Sequence, residues 1–355
     1  MTSGKMKNIL ETLINASEKA ACVARSCCAG STNEVLLIAE KFEGEANARF
    51  ERDFKTIADV LAQEAARTEI ANRFPELADH VRGEECSEIG GVRIELCDNI
   101  EGTTDLLGYL IAPPVAKRMA EAAHHDTMHT FCDNLPKDLP EIDPSDLGIW
   151  IDPIDATAEF IAGVQGRADA ERGLPCVTVL IGAYLRSTGE PVVGVINQPF
   201  YDNYSYNVFH NYTFLFVWGI NYKDTHEWGG CGIENTNESN IILMSGSEKP
   251  EIVDKFRQSG WEVQSLPGAG HKLLKIAIGE ADAYIVSQGT TFRWDTCAPH
   301  AILKAKGGDL ISYSTLSPIT YNDEMDIDTQ NYSNKEGTIA YSDVTILEKI
   351  KKTLN

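Results

Sequence analysis

The run Trp150-Ile151-Asp152-Pro153-Ile154-Asp155-Ala156-Thr157 decides the reading of this 355-residue chain. Leu147 to Ile151 is an apolar strand, and it ends in two carboxylates three residues apart. Pro153 between them fixes φ and removes one backbone donor. Such a turn can aim both carboxylates and the Ile154 carbonyl at one point. Magnesium takes oxygen ligands in near-octahedral geometry, and this segment offers three. Thr157 then stands at a helix start, with Ala158, Glu159, Phe160 and Ile161 behind it. A helix N-terminus presents free N–H groups that suit a phosphate, and the small Ala156 lets an anion approach the backbone. An ordinary capped strand-to-helix turn would carry the same letters. The run therefore has to be read with its company.

That company is a set of carboxylates elsewhere. Glu84-Glu85 follows a short strand or turn at Val81 to Gly83 and can complete a ligand set that Asp152 and Asp155 leave short. Asp295, in Trp294-Asp295-Thr296-Cys297-Ala298, stands where a helix begins, and Asp53 stands at or near the start of another. Each of these alone reads as a surface acid or an N-cap. Gly307-Gly308 ends the helix that follows Asp295.

The flanking pattern is strands first, then alternation. Residues 6–28 and about 54–74 read as helices, with Pro75 as a stop. Residues 86–147 carry weaker signals, with a helix near 114–124 and a polar stretch from Asp133 to Asp146, and read as a surface elaboration. Pro175 to Tyr184, Pro191 to Pro199 and Tyr212 to Ile220 are strand-like. After about residue 240 strands and helices alternate: helices at 250–258, 269–278 and 298–306, strands at 240–244, 261–266, 283–287 and 309–313. This order predicts an α+β lobe over 1–235, with an insertion near 86–147, and an α/β lobe over 236–355.

Composition narrows the partners. A balance of 31 basic and 53 acidic residues gives a formal charge of −22, which repels nucleic acid and anionic membranes. The nine cysteines include no Cys-x-x-Cys pair, so zinc is disfavoured and reduced thiols are expected. The N-terminal stretch lacks the apolar run of a secretion signal, and no apolar stretch reaches the roughly 18 residues of a membrane span. A cytoplasmic protein is the expectation.

In order, the chain holds an aspartate (Asp53), a Glu-Glu pair, Asp-Pro-Ile-Asp-small-Thr, Trp-Asp and Gly-Gly. This series resembles the lithium-sensitive, magnesium-dependent phosphomonoesterase superfamily. The segments Gly148–Asp155, Cys176–Gly182, Gly194–Phe200, Gly268–Lys272 and Thr290–Leu303 resemble its members that act on inositol polyphosphates. Ala156 stands where that family usually has Gly or Ser, and Cys86 where Ser is usual.

The resemblance implies a layered α-β-α-β-α sugar-phosphatase fold, inositol monophosphatase-like. It implies two or three Mg2+ ions, with Li+ as inhibitor. Metal ligands would be Glu84, Glu85, Asp152, the Ile154 carbonyl, Asp155 and Asp295. Glu84 and Thr157 would position the attacking water, and Asp53 would pair with Thr157 or help hold a third ion. Substrate contacts would come from Asp155, Ala156, Thr157, Ser247, Lys249, Gly268, Ala269, Lys272 and Thr290. The implied reaction is removal of the 1-phosphate from inositol 1,4-bisphosphate and inositol 1,3,4-trisphosphate by a monomer. The rival is hydrolysis of 3′-phosphoadenosine 5′-phosphate. A non-catalytic binder on the same fold would have lost a ligand carboxylate, and here all are present.

Overall fold

A computed structural model describes residues 6–28, 36–41, 53–126, 135–169, 172–201, 215–231, 239–322 and 329–354. The strand start expected at Tyr212 to Phe214 and the residue Asp133 lie outside them.

The first part of the chain runs α1 (Met6–Ser26), β1 (Ile38–Glu40), β2 (Phe54–Thr56), α2 (Ile57–Arg73), β3 (Val81–Gly83), β4 (Glu88–Ile89), β5 (Val92–Arg93), α3 (Ile100–Gly108) and α4 (Pro113–Ala123). It continues with β6 (Leu147–Asp155), α5 (Thr157–Val164), β7 (Thr178–Leu185), β8 (Pro191–Gln198), β9 (Leu215–Tyr222) and β10 (Thr225–Cys231). The second part runs β11 (Ile241–Met244), α6 (Pro250–Gln258), β12 (Glu262–Ser265), α7 (Ala269–Ile278), β13 (Ala283–Val286), α8 (Arg293–Ala305), β14 (Asp309–Ser312), β15 (Thr338–Tyr341) and α9 (Val344–Leu354).

One sheet has the order β10-β9-β8-β7-β6-β3, antiparallel except for the parallel β3–β6 pair. A second has the order β12-β11-β13-β15-β14. Helices α1 and α2 cover one face of the first sheet, and α8 covers the other. Helices α7 and α8 lie between the sheets, where Leu273, Ile276, Cys297 and Leu303 share a core with Leu243, Tyr284 and Ala340. Phe256 of α6 and Ile346, Leu347 and Ile350 of α9 close the far side of the second sheet. The result is the expected α-β-α-β-α layering. Strand β6 is buried along its whole length because helices cover both faces, which is why it reads as an apolar run rather than an alternation.

Helix α8 sits unusually close to the first sheet. A Cβ on Gly182 would lie 2.4 Å from the Ala298 nitrogen, and one on Gly194 would lie 2.0 Å from the Ala298 carbonyl oxygen. The strand glycines thus form the bed in which α8, and Asp295 with it, is laid.

Three expectations change. Helix α2 begins at Ile57, not near 54, because Phe54–Thr56 pairs with β1 and Thr56 is the N-cap. Helix α8 begins at Arg293, five residues before Ala298. Pro299 falls inside it, and its missing N–H forfeits only the bond to the Asp295 carbonyl. Residues 86–147 are not only surface: Ala116, Met119, Ala120 and Ala123 of α4 are buried against α1, on an alanine face too weakly apolar to stand out. Strand β10, strand β15, helix α3 and helix α9 are additions to the sequence reading.

Candidate active site

The parallel pairing of β3 with β6 sets Gly83 opposite Ile151, and Glu84 N–H donates to the Ile151 carbonyl (3.1 Å). Glu84 thereby emerges beside Asp152. In a regular strand Asp152 and Asp155 would point to opposite faces. The β6–β7 register shifts between them, an irregularity that undoes the alternation at Pro153-Ile154. Carboxylate oxygens of Asp152, Asp155 and Asp295 consequently lie within 4.8 Å of one another, all buried.

Asp155 is held by the N-terminus of α7. Its Oδ2 accepts from Gly270 N–H (2.9 Å) and from Thr178 Oγ1 (3.3 Å). Asp295 is the third residue of α8, and its Oδ2 accepts from the backbone N–H of the N-cap residue Phe292 (2.6 Å). Burial holds Asp152, Asp155 and Asp295 above the usual carboxylate range, and repulsion from Glu84 and from one another adds to it. Asp155 reaches about 6, since Lys272 and the Gly270 N–H oppose the rise.

Ala156 turns the chain from β6 into α5 at φ 69°, ψ 47°, in the left-handed region. That region is costly for a residue with a Cβ and open to Gly, one of the two residues the resemblance gives at this position. Thr157 follows as the first helical residue, and its Oγ1 lies 3.2 Å from both Asp59 Oδ1 and the Ile154 carbonyl. Its one proton serves either. The expected partner of Thr157 was Asp53; the structure gives it Asp59 instead. Asp53 lies before β2 and lines the cleft, and its carbonyl accepts from Lys41 N–H (2.9 Å). Asp59 is buried and also caps α2, with Oδ2 accepting from Thr56 N–H (2.6 Å). Burial pushes it up to about 6 against the pull of Thr56 and Lys41. The Thr56-x-x-Asp59 capping pattern is the signal in the sequence that could have found it.

Behind Glu84 lies a buried lysine. Lys41 Nζ is 2.6 Å from Glu84 Oε1 and 2.8 Å from Glu85 Oε1. Burial opposes its charge, but Glu84, Glu85 and Asp53 hold it well above its ordinary value. Gln63 clamps the main chain here, accepting from Glu85 N–H (3.0 Å) and donating to the Glu85 carbonyl. Burial pushes Glu85 up to about 8, with Lys41 opposing. Lys41 and Gln63 had no sequence signal of their own. Glu85 does not line the cleft; its carboxylate faces Lys41.

Asp53, Glu84, Asp152, Asp155, Ala156, Thr157 and Asp295 line a cleft of about 350 Å³, within the usual range for small-molecule sites. Gly268, Ala269, Lys272 and Thr290 line it as expected, and so do Ser245, Gly246 and Arg172, which the sequence reading did not include. Ser247 and Lys249 are exposed just beyond Ser245 and Gly246 and are not part of the lining. Lys272 is buried, and its Nζ donates to the carbonyls of Leu266 (2.9 Å) and Gly268.

The donors fit a hard divalent cation. They are all oxygens, three buried carboxylates converge, and Asp152 Oδ1 is buried with no hydrogen-bond partner among the described residues. Glu84 lines the same cleft, and the Ile154 carbonyl accepts from Thr157 Oγ1. Among the described residues no helix is long and apolar enough to cross a membrane, and every cysteine is a free thiol.

The chain is 34% identical to inositol polyphosphate 1-phosphatase of Homo sapiens, over 95% of this chain and 94% of that protein. It is 35% identical to the Bos taurus enzyme of that name, over 97% and 96%. It is 27% identical to 3′(2′),5′-bisphosphate nucleotidase 1 of Rattus norvegicus, over 81% and 79%. Among solved structures, the fold matches extragenic suppressor protein suhB from Bartonella henselae (TM-score 0.55, 15% identity, 97% of this chain and 98% of that one). It also matches an inositol monophosphatase from Zymomonas mobilis (TM-score 0.54, 15% identity, 98% of each). The relatives make the chain a phosphoric monoester hydrolase. The model of the inositol monophosphatase family matches residues 9–346, and the chain belongs to that family.

Proposed function

We propose that the chain removes the 1-phosphate from inositol 1,4-bisphosphate and inositol 1,3,4-trisphosphate, depends on magnesium and is inhibited by lithium. The observation that carries the chemistry is the buried trio Asp152, Asp155 and Asp295, with one unpartnered Asp152 oxygen, beneath the N-terminus of α5. Glu84, Asp152 and the Ile154 carbonyl would hold one ion, and Asp152, Asp155 and Asp295 a second. Asp53, on the cleft wall, is the further carboxylate available to a third. Bound magnesium supplies a lowered pKa to water and neutralises charge on the phosphate.

The protein's own groups do the rest. The free N–H groups at the start of α5 hold the scissile phosphate. Thr157 Oγ1 orients the attacking water and passes a proton toward Asp59, whose raised pKa suits an acceptor near neutral pH. The greater identity to inositol polyphosphate 1-phosphatases than to bisphosphate nucleotidases supports the inositol substrate.

The test is phosphate release from inositol 1,4-bisphosphate and 3′-phosphoadenosine 5′-phosphate, each with magnesium, with chelator and across a lithium titration. Faster release from the inositol substrate, lost in chelator and suppressed by lithium, is expected. Preference for the nucleotide overturns the substrate. Activity in chelator, or indifference to lithium, overturns the metal assignment.

A further inference from the structure

One departure from the family pattern, Cys86, has no part in the chemistry above. It follows Glu84 and Glu85 in the turn that leaves β3. The residue is partly exposed, and its Sγ lies 2.8 Å from the Nζ of Lys55. Lys55 belongs to β2 and is 1% exposed. A buried ammonium thus meets a partly exposed sulfur where two segments of the site join. Asp53, just before β2, and Glu84, just after β3, both line the cleft.

The surroundings hold this pair in place. Lys55 is fixed by the pairing of β2 with β1, opposite Ala39. Gln63 clamps both main-chain groups of Glu85, the residue before Cys86. The Cys86 thiol donates toward the Glu88 carbonyl (3.5 Å). A thiol is oxidised most readily where solvent reaches it and a cation stands against the sulfur. Cys86 meets both conditions. Cys22 also touches a cation, Arg25, but it is buried, and Glu18 shares the contact. Burial pushes the Cys22, Cys28, Cys176, Cys231 and Cys297 thiols up, which makes them poorer nucleophiles.

We propose that Cys86, paired with Lys55, is a site of oxidation by hydroperoxides, and that its sulfenic acid reversibly weakens the hold of Glu84 on magnesium. The consequence for magnesium rests on the reading of Glu84 as a ligand; the oxidation does not. With hydrogen peroxide, the Cys86 sulfur attacks one peroxide oxygen. The S–O bond forms and the O–O bond breaks, so sulfur loses two electrons and the peroxide gains them. The Lys55 ammonium gives the departing hydroxide a proton and recovers one from the thiol, and water leaves. A dithiol reverses the step, releasing the oxygen as water and closing to a disulfide. The new oxygen is an acceptor drawn to the ammonium, and 2.8 Å between nitrogen and sulfur leaves no room for it. The 84–86 turn and β2 then part, and Glu84 moves with the turn.

The test treats the full chain with hydrogen peroxide and traps sulfenic acid with dimedone, for the wild type, Cys86→Ser and Lys55→Met. Peptide mass spectrometry reads which cysteine reacts. Calorimetry reads magnesium affinity before peroxide, after it, and after dithiothreitol. Cys86 should be labelled first. Its oxidation should weaken magnesium binding by roughly tenfold to a hundredfold, the usual worth of a group that supports a metal ligand, and dithiothreitol should restore it. Cys86→Ser should bind magnesium like the wild type and keep that affinity in peroxide. Lys55→Met should slow labelling of Cys86 by roughly tenfold or more, the loss of one charge-assisted hydrogen bond. Earlier labelling of another cysteine, equal labelling of Cys86 in Lys55→Met, or magnesium affinity unchanged by oxidation of Cys86 overturns the proposal. Should Lys55→Met not fold, the wild type and Cys86→Ser still decide it. Failure of the magnesium reading looks different: the untreated protein then binds no magnesium, and the order of labelling still decides whether Cys86 is the oxidised site.

Discussion

Stripping the divalent ion should make the protein's stability fall more steeply as pH rises, and adding magnesium should lessen the fall. Without an ion, Asp155 carries a pKa of about 6 in the folded protein against an ordinary 3.8, because burial and neighbouring carboxylates disfavour its charge. Its contribution is fully present below 3.8, where folded and unfolded chains are both protonated. Between 3.8 and about 6 the unfolded chain gives up the proton while the folded chain keeps it, and that stability is lost. The loss from Asp155 alone is on the order of 3 kcal/mol. Taking roughly 2.1 cal/mol/K per residue for the unfolding entropy, this is about 4 °C in Tm for 355 residues. Asp152 and Asp295 shift in the same direction and add to it, whereas Glu85, at about 8, faces Lys41 outside the cleft and contributes a fall that magnesium leaves in place. A bound cation favours the charged carboxylates and displaces the protons. Differential scanning calorimetry across this window, with magnesium and with chelator, reads the effect. The gain in Tm from magnesium should grow with pH, and metal-free Asp155→Asn should be more stable than metal-free wild type above the pKa of Asp155. A magnesium gain independent of pH, or an Asp155→Asn variant less stable throughout, would refute the reasoning.

Four substitutions probe the rest of the site and its support. Asp152→Asn should cut phosphate release by at least about a thousandfold, as expected when a metal-assisted step is lost, while its far-UV circular dichroism stays that of the wild type; near-normal turnover would remove Asp152 from the ligand set. Asp59→Asn should lower kcat by roughly a hundredfold to ten-thousandfold, the usual worth of a proton-transfer group, with calorimetric magnesium binding retained; the same loss from Asp53→Asn but not from Asp59→Asn would reverse the assignment made from the Thr157 contact. Ala156→Gly removes a left-handed penalty of about 1–2 kcal/mol and adds backbone entropy of about half that, so a small rise in Tm is expected, and a fall would show that Ala156 is not strained. Gly194→Ala places a Cβ 2.0 Å from the Ala298 carbonyl oxygen; it should destabilise by about 1–3 kcal/mol or more, and an unchanged Tm would show that α8 can move away from the sheet without cost.

The carboxylate-bearing turn is legible because its letters are local. Pro153 between two aspartates, after a buried strand, constrains the chain whatever surrounds it. The layering was legible from the order of elements, since alternation after residue 240 admits few packings. What the sequence concealed depends on contacts between distant segments. Asp53 and Asp59 are both aspartates near the start of α2, and nothing in their spacing says which meets Thr157. The β1–β2 pairing decides it, by setting the helix start at Ile57 and turning Asp59 inward from its first turn. Lys41 was invisible for a similar reason. A lysine beside a glutamate-rich segment reads as surface, and only the fold buries it against Glu84 and Glu85. The burial of helix α4 is hidden in the sequence because alanine carries little hydrophobic signal per residue, yet it packs closely where helices approach.

The same distinction explains how the site is assembled. Asp152, Asp155 and Glu84 come from the first sheet, whereas Asp295 comes from α8 and the amide that grips Asp155 from α7. Three buried carboxylates repel, so bringing Asp295 up to the other two opposes the docking of the middle helical layer unless a cation is present. The apolar packing of α8 on the glycine bed must offset that repulsion in the metal-free protein. A divalent ion held by the three carboxylates would turn the opposition into attraction and so tie the first sheet to the middle layer. Close packing at Gly182 and Gly194 and any metal binding at Asp295 would therefore be coupled through one helix. A substitution that loosens α8 on its bed should weaken magnesium binding without touching a ligand.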